Sequence, residues 1–526
     1  MSLFACPNEL LEQIIYQVTG DDLENLASTC RLIREVARPM LKEHYTLKNK
    51  YGYTQFNYPG REPTHPAQLL DIIIDDPRAI TYISKLSLTY RLPQGRRFAA
   101  HVAKIKARTD RILEKHDFFW SLLISNPSIP EAEASSWYKQ IREGRIDALY
   151  ALLLYYLHNL KEVRIDRPIF LPQTFVMISR LQRSIYQRRL DDRSCNTHDG
   201  GPIRRLHLSK ERLGLEKLQG IIIDPAEASD VIHRRQRLAN FARFAVFSSF
   251  PEVRHLHGIS LSSRKYNLDE DFSGFPKLES VRLVNCNIAP QSFRSLLSGV
   301  QNLRSFHYAP TIDVKELSKV LEDLKKHAGH SLTKLYLRHN VIEARSEAWK
   351  YQAFKQLKII DLDWRCLVYF YDESVTSTVT TSSPNKAPKI HSEPSCINTA
   401  RISFDASAET TPEPSVYGTP SSPKKAIRQD QKIQHPQLAD VMPSTIESIK
   451  IVDIDGEAKL EDVRWLFFKL RMNLRRFPKL KVIIFVTPRQ DCWMHAKNIC
   501  SQAGLKYPTY SCDKEKRISG IHFVYE

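Results

Sequence analysis

The sequence predicts an α/β protein in which a helical head precedes a long series of alternating helices and strands, and three observations lead to this prediction. Apolar residues recur at helical spacing through residues 6–45. Short runs of the form L-x-x-L-x-L recur along most of the remaining chain, with helical patterns between them. A Ser/Thr/Pro-rich stretch interrupts the series. Repeated helix–strand units of this kind stack with parallel strands and share one continuous core.

The head is predicted to contain three short amphipathic helices. The first begins at Pro7, where a missing N–H costs nothing in a first turn. Asp21 or Asp22 is expected to cap the second helix, and Pro39 is expected to bend the third. About 40 residues cannot enclose a self-sufficient core, so the remaining apolar surface must be covered by the rest of the chain or by a partner.

The head carries the pattern P-x-E-L-L-x-x-I…D-L-x-x-L-x-x-x-C-R…A-x-P-x-L, which resembles an F-box, the module that docks substrate receptors on the Skp-family adaptor of a cullin-RING ubiquitin ligase. The matching positions are Pro7, Glu9, Leu10, Leu11, Ile14, Asp22, Leu23, Leu26, Cys30 and Arg31. Cys6, Ile15 and Ile33 replace the usual Leu, aromatic and Trp. The resemblance implies that the adaptor is bound by Pro7, Leu10, Leu11, Ile14, Ile15, Leu23, Leu26 and Cys30.

Two segments, 278–288 and 332–342, fit the repeat L-x-x-L-x-L-x-x-[NC]-x-[IL], with Val281 at the second Leu position of the first segment. Segment 357–367 has Ile360 at the second Leu position and misses at the Asn/Cys position, and a degenerate copy begins at Leu303. The first leucines are separated by 25, 29 and 25 residues, which is the period of a leucine-rich repeat. The layout of the chain is similar to that of fungal-type F-box receptors with divergent repeats. The alternative is an ordinary α/β domain in which strands alternate with helices.

These patterns predict a succession of domains along the chain. The boundaries are residues 1–47 for the F-box, 48–66 for a linker, 67–372 for an irregular leucine-rich-repeat-like solenoid, 373–440 for a disordered insertion and 441–526 for C-terminal repeats and a cap. The insertion is called disordered because 27 of its 68 residues are Ser, Thr or Pro. Its candidate phosphorylation sites each precede a proline: Ser383, Thr411, Thr419 and Ser422.

Alternate residues of the predicted strands face away from the core and form a mostly basic row. The row contains Lys85, Arg164, Arg205, His207, Arg282, His307, Lys334, Tyr336, Arg338, Asp361, Asp363 and Lys450. Guanidinium groups and a rigid Tyr suit an acidic or phosphorylated protein target. The candidate target-binding residues are Arg205, Arg282, His307, Lys334, Tyr336 and Arg338. The alternative is that these are ordinary solvated strand residues.

Net charge, apolar runs, cysteine content and the search for motifs limit the partners, the compartment and the chemistry that the sequence predicts. The net charge of +18 suits nucleic acid, an anionic membrane surface or an acidic protein, although long Lys/Arg runs are absent. No apolar run reaches the roughly 20 residues that span a bilayer, and no secretory signal is recognised. Nine scattered cysteines suit the cytoplasm or nucleus. The spacing of Cys492, Cys500 and Cys512 does not match a zinc loop, and no catalytic motif is found.

The resemblance therefore implies a non-catalytic substrate receptor, without metal or cofactor. It would join a protein target to the Skp-family adaptor and, through it, to a cullin-RING ligase. Two alternatives stay open: a basic repeat scaffold that binds nucleic acid or a nuclear complex, and an F-box protein that acts outside a ligase. Nucleic acid is the less favoured partner, and no membrane is expected.

Overall fold

The structure is a computed structural model. It describes residues 6–18, 20–56, 63, 65–89, 107, 110, 131–143, 145–166, 171, 174–181, 214–224, 239–247, 250–263, 275–310, 317–338, 351–363, 366, 369–371, 432–434, 442–453, 456 and 458–506. Residues 370–434 form a unit separate from the rest of the chain.

One parallel sheet of eleven strands runs through the described residues, and strands that are neighbours in space also follow one another along the chain. In spatial order the strands are β1 (Tyr53–Gln55), β2 (Lys85–Leu88), β3 (Glu162–Asp166), β4 (Gly220–Asp224), β6 (His255–Ile259), β8 (Ser280–Cys286), β9 (Ser305–Pro310), β10 (Lys334–Leu337), β11 (Ile359–Asp363), β14 (Ser448–Val452) and β15 (Val482–Val486). Two short strands, β5 (Ala239–Asn240) and β7 (Leu261–Ser262), pair with each other, as do β12 (Tyr369–Tyr371) and β13 (Lys432–Gln434). The α/β class with a parallel sheet is thereby confirmed.

Helices precede the sheet and occupy many of the connections between its strands. They are α1 (Asn8–Tyr16), α2 (Gly20–Thr29), α3 (Arg31–Tyr51), α4 (Pro66–Asp75), α5 (Ala79–Tyr82), α6 (Glu131–Arg142), α7 (Ile146–Tyr156), α8 (Pro290–Ser298), α9 (Leu317–Ala328), α10 (Leu460–Met472) and α11 (Gln490–Gln502). Helix α7 is apolar on almost every side and eight of its residues are buried, so it lies inside the core.

The core is built by two columns of side chains that cross the sheet. Because successive residues of a strand point to opposite faces, every second residue enters the core. On the four central strands the columns contain Val281, Phe306, Leu335 and Ile360, and Leu283, Tyr308, Leu337 and Leu362. The same columns continue on β14 and β15 as Ile449, Ile483, Ile451 and Phe485.

Cys286, at the Asn/Cys position of the first full repeat, is completely buried where the chain leaves β8. Its Sγ accepts a hydrogen bond from the Leu261 N–H at 3.5 Å and donates toward the Val284 carbonyl at 3.3 Å. Burial raises the pKa of this thiol to about 12, so it remains protonated. Cys286 therefore fills the space where the chain leaves the strand and satisfies backbone groups of the turn.

The structure also corrects several boundaries. Helix α2 begins at Gly20, so Asp21 and Asp22 lie in its first turn rather than capping it. Helix α3 continues past Pro39 to Tyr51, because one lost backbone hydrogen bond does not outweigh its packing. The predicted linker 48–66 therefore contains the end of α3, the strand β1 and the start of α4.

Other differences concern the middle of the chain. Strand β4 was not predicted, although Leu218-x-x-Ile221-x-Ile223 carries the same spacing as the other strands. The apolar spacing over 226–247 predicts a long helix, but the described residues there form the strand β5 (Ala239–Asn240) and a 3-10 helix at Phe241–Phe247. Strand β13 lies inside the segment predicted to be disordered. The rest of that segment up to residue 431, and the closing strands predicted over 507–525, lie outside the described residues.

Candidate binding surfaces of the head and the sheet

The three helices of the head share a small core of their own. It consists of Ile15, Leu23, Ala27, Ile33 and Ala37, with Val18, Leu26, Cys30, Val36, Met40 and Leu41 packed around it. Leu11 is also buried, with 1% of its surface exposed. Leu11, Ile15 and Leu23 were predicted to contact an adaptor, and this is corrected: their side chains face the interior and support the helices.

An apolar stripe is nevertheless exposed on α1. Leu10 and Ile14 are one helical turn apart and are 48% and 44% exposed. Pro7 is exposed three residues before Leu10 and continues the same stripe toward the N-terminus of the helix. Of the eight predicted adaptor-binding residues, these three face outward, whereas Leu26 and Cys30 are half-buried.

Cys30 has a structural role that the sequence did not indicate. It is the N-cap residue of α3, and its Sγ accepts a hydrogen bond from the Ile33 N–H at 3.4 Å. A cysteine is not among the usual capping residues, so the capping preferences gave no signal.

His44 joins the head to the body of the protein. Its side chain on α3 is buried, with Nε2 lying 2.8 Å from Glu24 Oε1 on α2 and Nδ1 lying 3.3 Å from the Tyr82 hydroxyl on α5. Lys48 donates to the same Glu24 oxygen at 2.6 Å, and the hydrogen bonds from Lys48 and His44 lower the pKa of Glu24. Sequence reasoning missed this junction because its residues are separated by up to 58 positions and show no pattern.

The outward face of the sheet carries a column of mostly polar side chains at the middle position of its strands. In register across neighbouring strands the column contains Arg164, Ile222, His257, Arg282, His307, Tyr336, Asp361 and Lys450. Neighbouring strands lie about 4.8 Å apart, so each of these side chains stands beside its neighbours in the column. The predicted alternation is therefore confirmed for the described residues, while Arg205 and His207 lie outside them.

Acidic residues neutralise the column at two places. Arg164 Nε lies 2.9 Å from Asp166 Oδ1 and Arg164 Nη2 lies 2.7 Å from Asp224 Oδ2. Arg338 donates to Asp361 Oδ1, and Lys450 Nζ lies 3.5 Å from Asp361 Oδ2.

The two aspartates of β11 lie on the outward face, as predicted, yet they are buried. Asp361 and Asp363 are 2% and 5% exposed. The long side chains of Arg338 and Lys450 converge on the Asp361 carboxylate and help to shield it from solvent.

At the centre of the column, between these neutralised groups, Arg282 is exposed and makes no ion pair with any described residue. It lies between His257 and His307, which are both half-buried. Burial, reinforced by the positive charge of Arg282, lowers the pKa of His257 to about 4 and that of His307 to about 3. Both imidazoles are therefore neutral near pH 7.

A small cavity of about 140 Å³ opens beside this guanidinium, lined by Ser280, Val281, Arg282, Ser305, His307 and Tyr336. The rings of His307 and Tyr336 are stacked, with centroids 5.5 Å apart and an interplanar angle of 24°. Lys334 is exposed on the same face, outside the lining of the cavity. The cavity can accept a group that is anionic and not much larger than a carboxylate.

A second, larger groove of about 870 Å³ follows α3. It is lined by Arg31, Arg34, Glu35, Arg38, Leu41, Lys42, Tyr45, Thr46 and Asn49. Arg34, Arg38 and Lys42 are exposed at successive helical turns and have no acidic partner among the described residues, whereas Arg31 pairs with Glu35. The spacing R-x-x-x-R-x-x-x-K is visible in the sequence, and it was not recognised there.

The described residues do not include the candidate phosphorylation sites, and they hold neither a metal-binding cluster nor a membrane-spanning helix. The candidate phosphorylation sites Ser383, Thr411, Thr419 and Ser422 lie outside the described residues. Within the described part of the chain, no group of three or more His, Cys, Asp or Glu side chains is placed to hold a metal ion. None of the helices described there combines the length and apolar character needed to cross a membrane.

Comparison with known proteins adds no relative. No family model matches the chain, and no curated protein matches its sequence.

Proposed function

We propose that this protein is a non-catalytic substrate receptor of a cullin-RING ubiquitin ligase, with an F-box head that binds the Skp-family adaptor. The observation that carries the proposal is the exposed stripe of Pro7, Leu10 and Ile14 on α1, in the segment whose sequence resembles an F-box. Large apolar side chains aligned on one helix face and left exposed favour a partner protein that covers them. The stripe is small, so it supplies the centre of a larger contact.

The remainder of the chain is proposed to be an irregular leucine-rich-repeat solenoid. Its support is the chain-order succession of parallel strands, together with the repeat spacing of 25 to 29 residues on β8 to β11. In this proposal the outward face of the sheet binds the target through Arg282, His307, Lys334 and Tyr336. The receptor then acts by proximity, because it holds the target where a ligase-bound ubiquitin-conjugating enzyme reaches its lysines.

The test is co-elution of the full chain with purified Skp-family adaptor during size-exclusion chromatography. We expect a complex that survives moderate salt, because the contact is apolar. The Leu10→Asp, Ile14→Asp double variant should lose the adaptor. A matched control is Met472→Asp with Met494→Asp, since these side chains are 68% and 43% exposed outside the head. Equal retention by both double variants would refute the docking surface, and so would equal loss.

A second candidate function is favoured by the groove along α3. Arg34, Arg38 and Lys42 form a track of positive charge without acidic partners in the described part of the chain, and Tyr45 is 48% exposed beside it. A basic groove with an exposed aromatic ring is the combination used to bind single-stranded nucleic acid.

Fluorescence anisotropy of a labelled oligo-dT or oligo-U tests this candidate. Binding should weaken steeply with salt and should be lost in the Arg34→Gln, Arg38→Gln, Lys42→Gln variant. Lys319, Lys325 and Lys326 on α9, replaced by Gln, make a control of equal charge change. Adaptor binding without oligonucleotide binding would reject this candidate and keep the first.

A further inference from the structure

The outward face of the sheet carries an uncompensated charge at one position in its polar column. Arg164, Arg338 and Lys450 each have an aspartate partner, whereas Arg282 has none among the described residues. The side chains facing it across the neighbouring strands are the uncharged imidazoles of His257 and His307. An exposed cation between neutral donors, in a cavity of its own, leaves a net positive charge for a ligand to neutralise.

The groups around the cavity supply hydrogen-bond donors as well as charge. Ser280 and Ser305 are directly paired in register, so their hydroxyl groups lie side by side on β8 and β9. The guanidinium offers a planar fork of donors, and the imidazole of His307 contributes an N–H without a charge. Nearby, Nε2 of His257 is buried and has no hydrogen-bond partner among the described residues. The cluster therefore has hydrogen-bond donors that the described residues leave available for a ligand.

We propose that Arg282, with the hydroxyl groups of Ser280 and Ser305 and the ring of His307, binds a carboxylate group of the target. This inference rests on the proposed function only in taking the ligand to be part of a protein. The carboxylate comes from an Asp or Glu side chain or from the C-terminus of a polypeptide. Both sources present the same two oxygen atoms to the guanidinium, which binds them in a bidentate arrangement.

Charge favours a carboxylate over a phosphate group. The cavity of about 140 Å³ holds roughly five water molecules at about 30 Å³ each, which matches a carboxylate with one or two methylene groups. Arg282 is the only charged residue in its lining, so it balances one negative charge. A phosphorylated side chain brings a charge of about −1.5 to −2 and would be left partly unneutralised in a half-buried site.

The experiment follows the ring resonances of His257 and His307 in the full chain labelled at histidine. The probes are sodium acetate, inorganic phosphate, acetyl-Gly-Gly-Gly with a free C-terminus, and acetyl-Gly-Glu-Gly-amide. We expect acetate to shift both resonances saturably, and Arg282→Gln to weaken its affinity about tenfold or more, because hydrogen bonds to charged groups are strong. Arg304→Gln is the matched control, since Arg304 is exposed just before β9 and does not line the cavity.

The two peptides distinguish the sources: binding of the triglycine peptide identifies a chain terminus, and binding of the amidated peptide identifies an acidic side chain. Phosphate binding more tightly than acetate would overturn the proposal. So would equal losses in Arg282→Gln and Arg304→Gln, or the absence of any saturable shift. Adaptor binding through α1 is measured in parallel. It should be unaffected by Arg282→Gln, so failure of this inference is separable from failure of the proposed function.

Discussion

The buried charge cluster of β10, β11 and β14 gives the sharpest test of the energetics of the sheet. Asp361 has a side chain that is 3% exposed, and its two partners Arg338 and Lys450 are 18% and 16% exposed. Replacing Asp361 by Asn keeps the shape but leaves two cations facing an uncharged amide. Removing one partner of a buried ion pair costs about 3–5 kcal/mol. Because both cations retain some contact with water, we expect a loss near the lower limit, about 3 kcal/mol.

The assay is urea denaturation followed by circular dichroism, with hydrogen exchange of the β10, β11 and β14 amides to locate the loss. Arg282→Gln is the control: it removes a charge from the same column, and its effect should stay within about 0.5 kcal/mol because Arg282 is exposed and pairs with none of the acidic residues that the structure describes. Replacing Asp361, Arg338 and Lys450 together by apolar residues should recover most of the stability. The reasoning is refuted if Asp361→Asn costs no more than Arg282→Gln.

Two further predictions concern the head and the pH dependence of stability. Leu11→Ala should destabilise the head by about 2–5 kcal/mol through a cavity, measured as faster hydrogen exchange in α1 to α3, whereas Leu10→Ala should have little effect. The pKa values of His257 and His307 are lowered to about 4 and about 3 in the folded chain. In the unfolded chain the same two side chains have the ordinary histidine pKa of about 6.5, so they take up protons there at a higher pH than in the folded chain. The free energy of unfolding should therefore fall as the pH is lowered from about 6.5 toward 4. Arg282→Gln should raise both pKa values, measured by NMR titration, and should make this loss smaller.

The strands of the sheet could be predicted from the sequence because their signal is local. Leu303-x-x-Phe306-x-Tyr308 is degenerate, yet its period-2 alternation still gave β9 in the correct register. Strand β4 was missed although Leu218, Ile221 and Ile223 repeat the same spacing. Few recognisable repeats occur between β3 and β6, so the spacing of Leu218, Ile221 and Ile223 could not be matched to a neighbouring repeat in the sequence.

The surfaces were harder to predict than the strands. Leu10 and Leu11 match the same motif, and the match could not tell which of them is exposed to solvent. Leu10 is 48% exposed and Leu11 is 1% exposed. Two adjacent helical residues point about 100° apart, and only the packing of α1 on α3 decides which of them faces solvent. Likewise, alternation placed Asp361 on the outward face but could not predict its burial, which depends on two long side chains from different strands.

The hydrogen bond between His44 and Tyr82 is one of the contacts that hold the head to the body of the protein. His44→Phe preserves the ring volume beside Tyr45 and Tyr82 and removes both hydrogen bonds. One of them is to the charged Glu24, so the loss should be about 2–4 kcal/mol, observed as faster exchange in α2. Thr46→Ala, at an exposed position of the same helix, is the control.

Under the proposed receptor function, the same variant separates binding of the adaptor from delivery of the target. The stripe of Pro7, Leu10 and Ile14 is untouched by His44→Phe, so adaptor binding should persist. Ubiquitination of a bound target should slow, because a head free to turn on the sheet no longer holds the target at a fixed distance from the ligase. Unchanged hydrogen exchange in α2 would show that the contacts between helices hold the head in place without these hydrogen bonds. Faster hydrogen exchange with unchanged ubiquitination would show that delivery of the target tolerates a mobile junction.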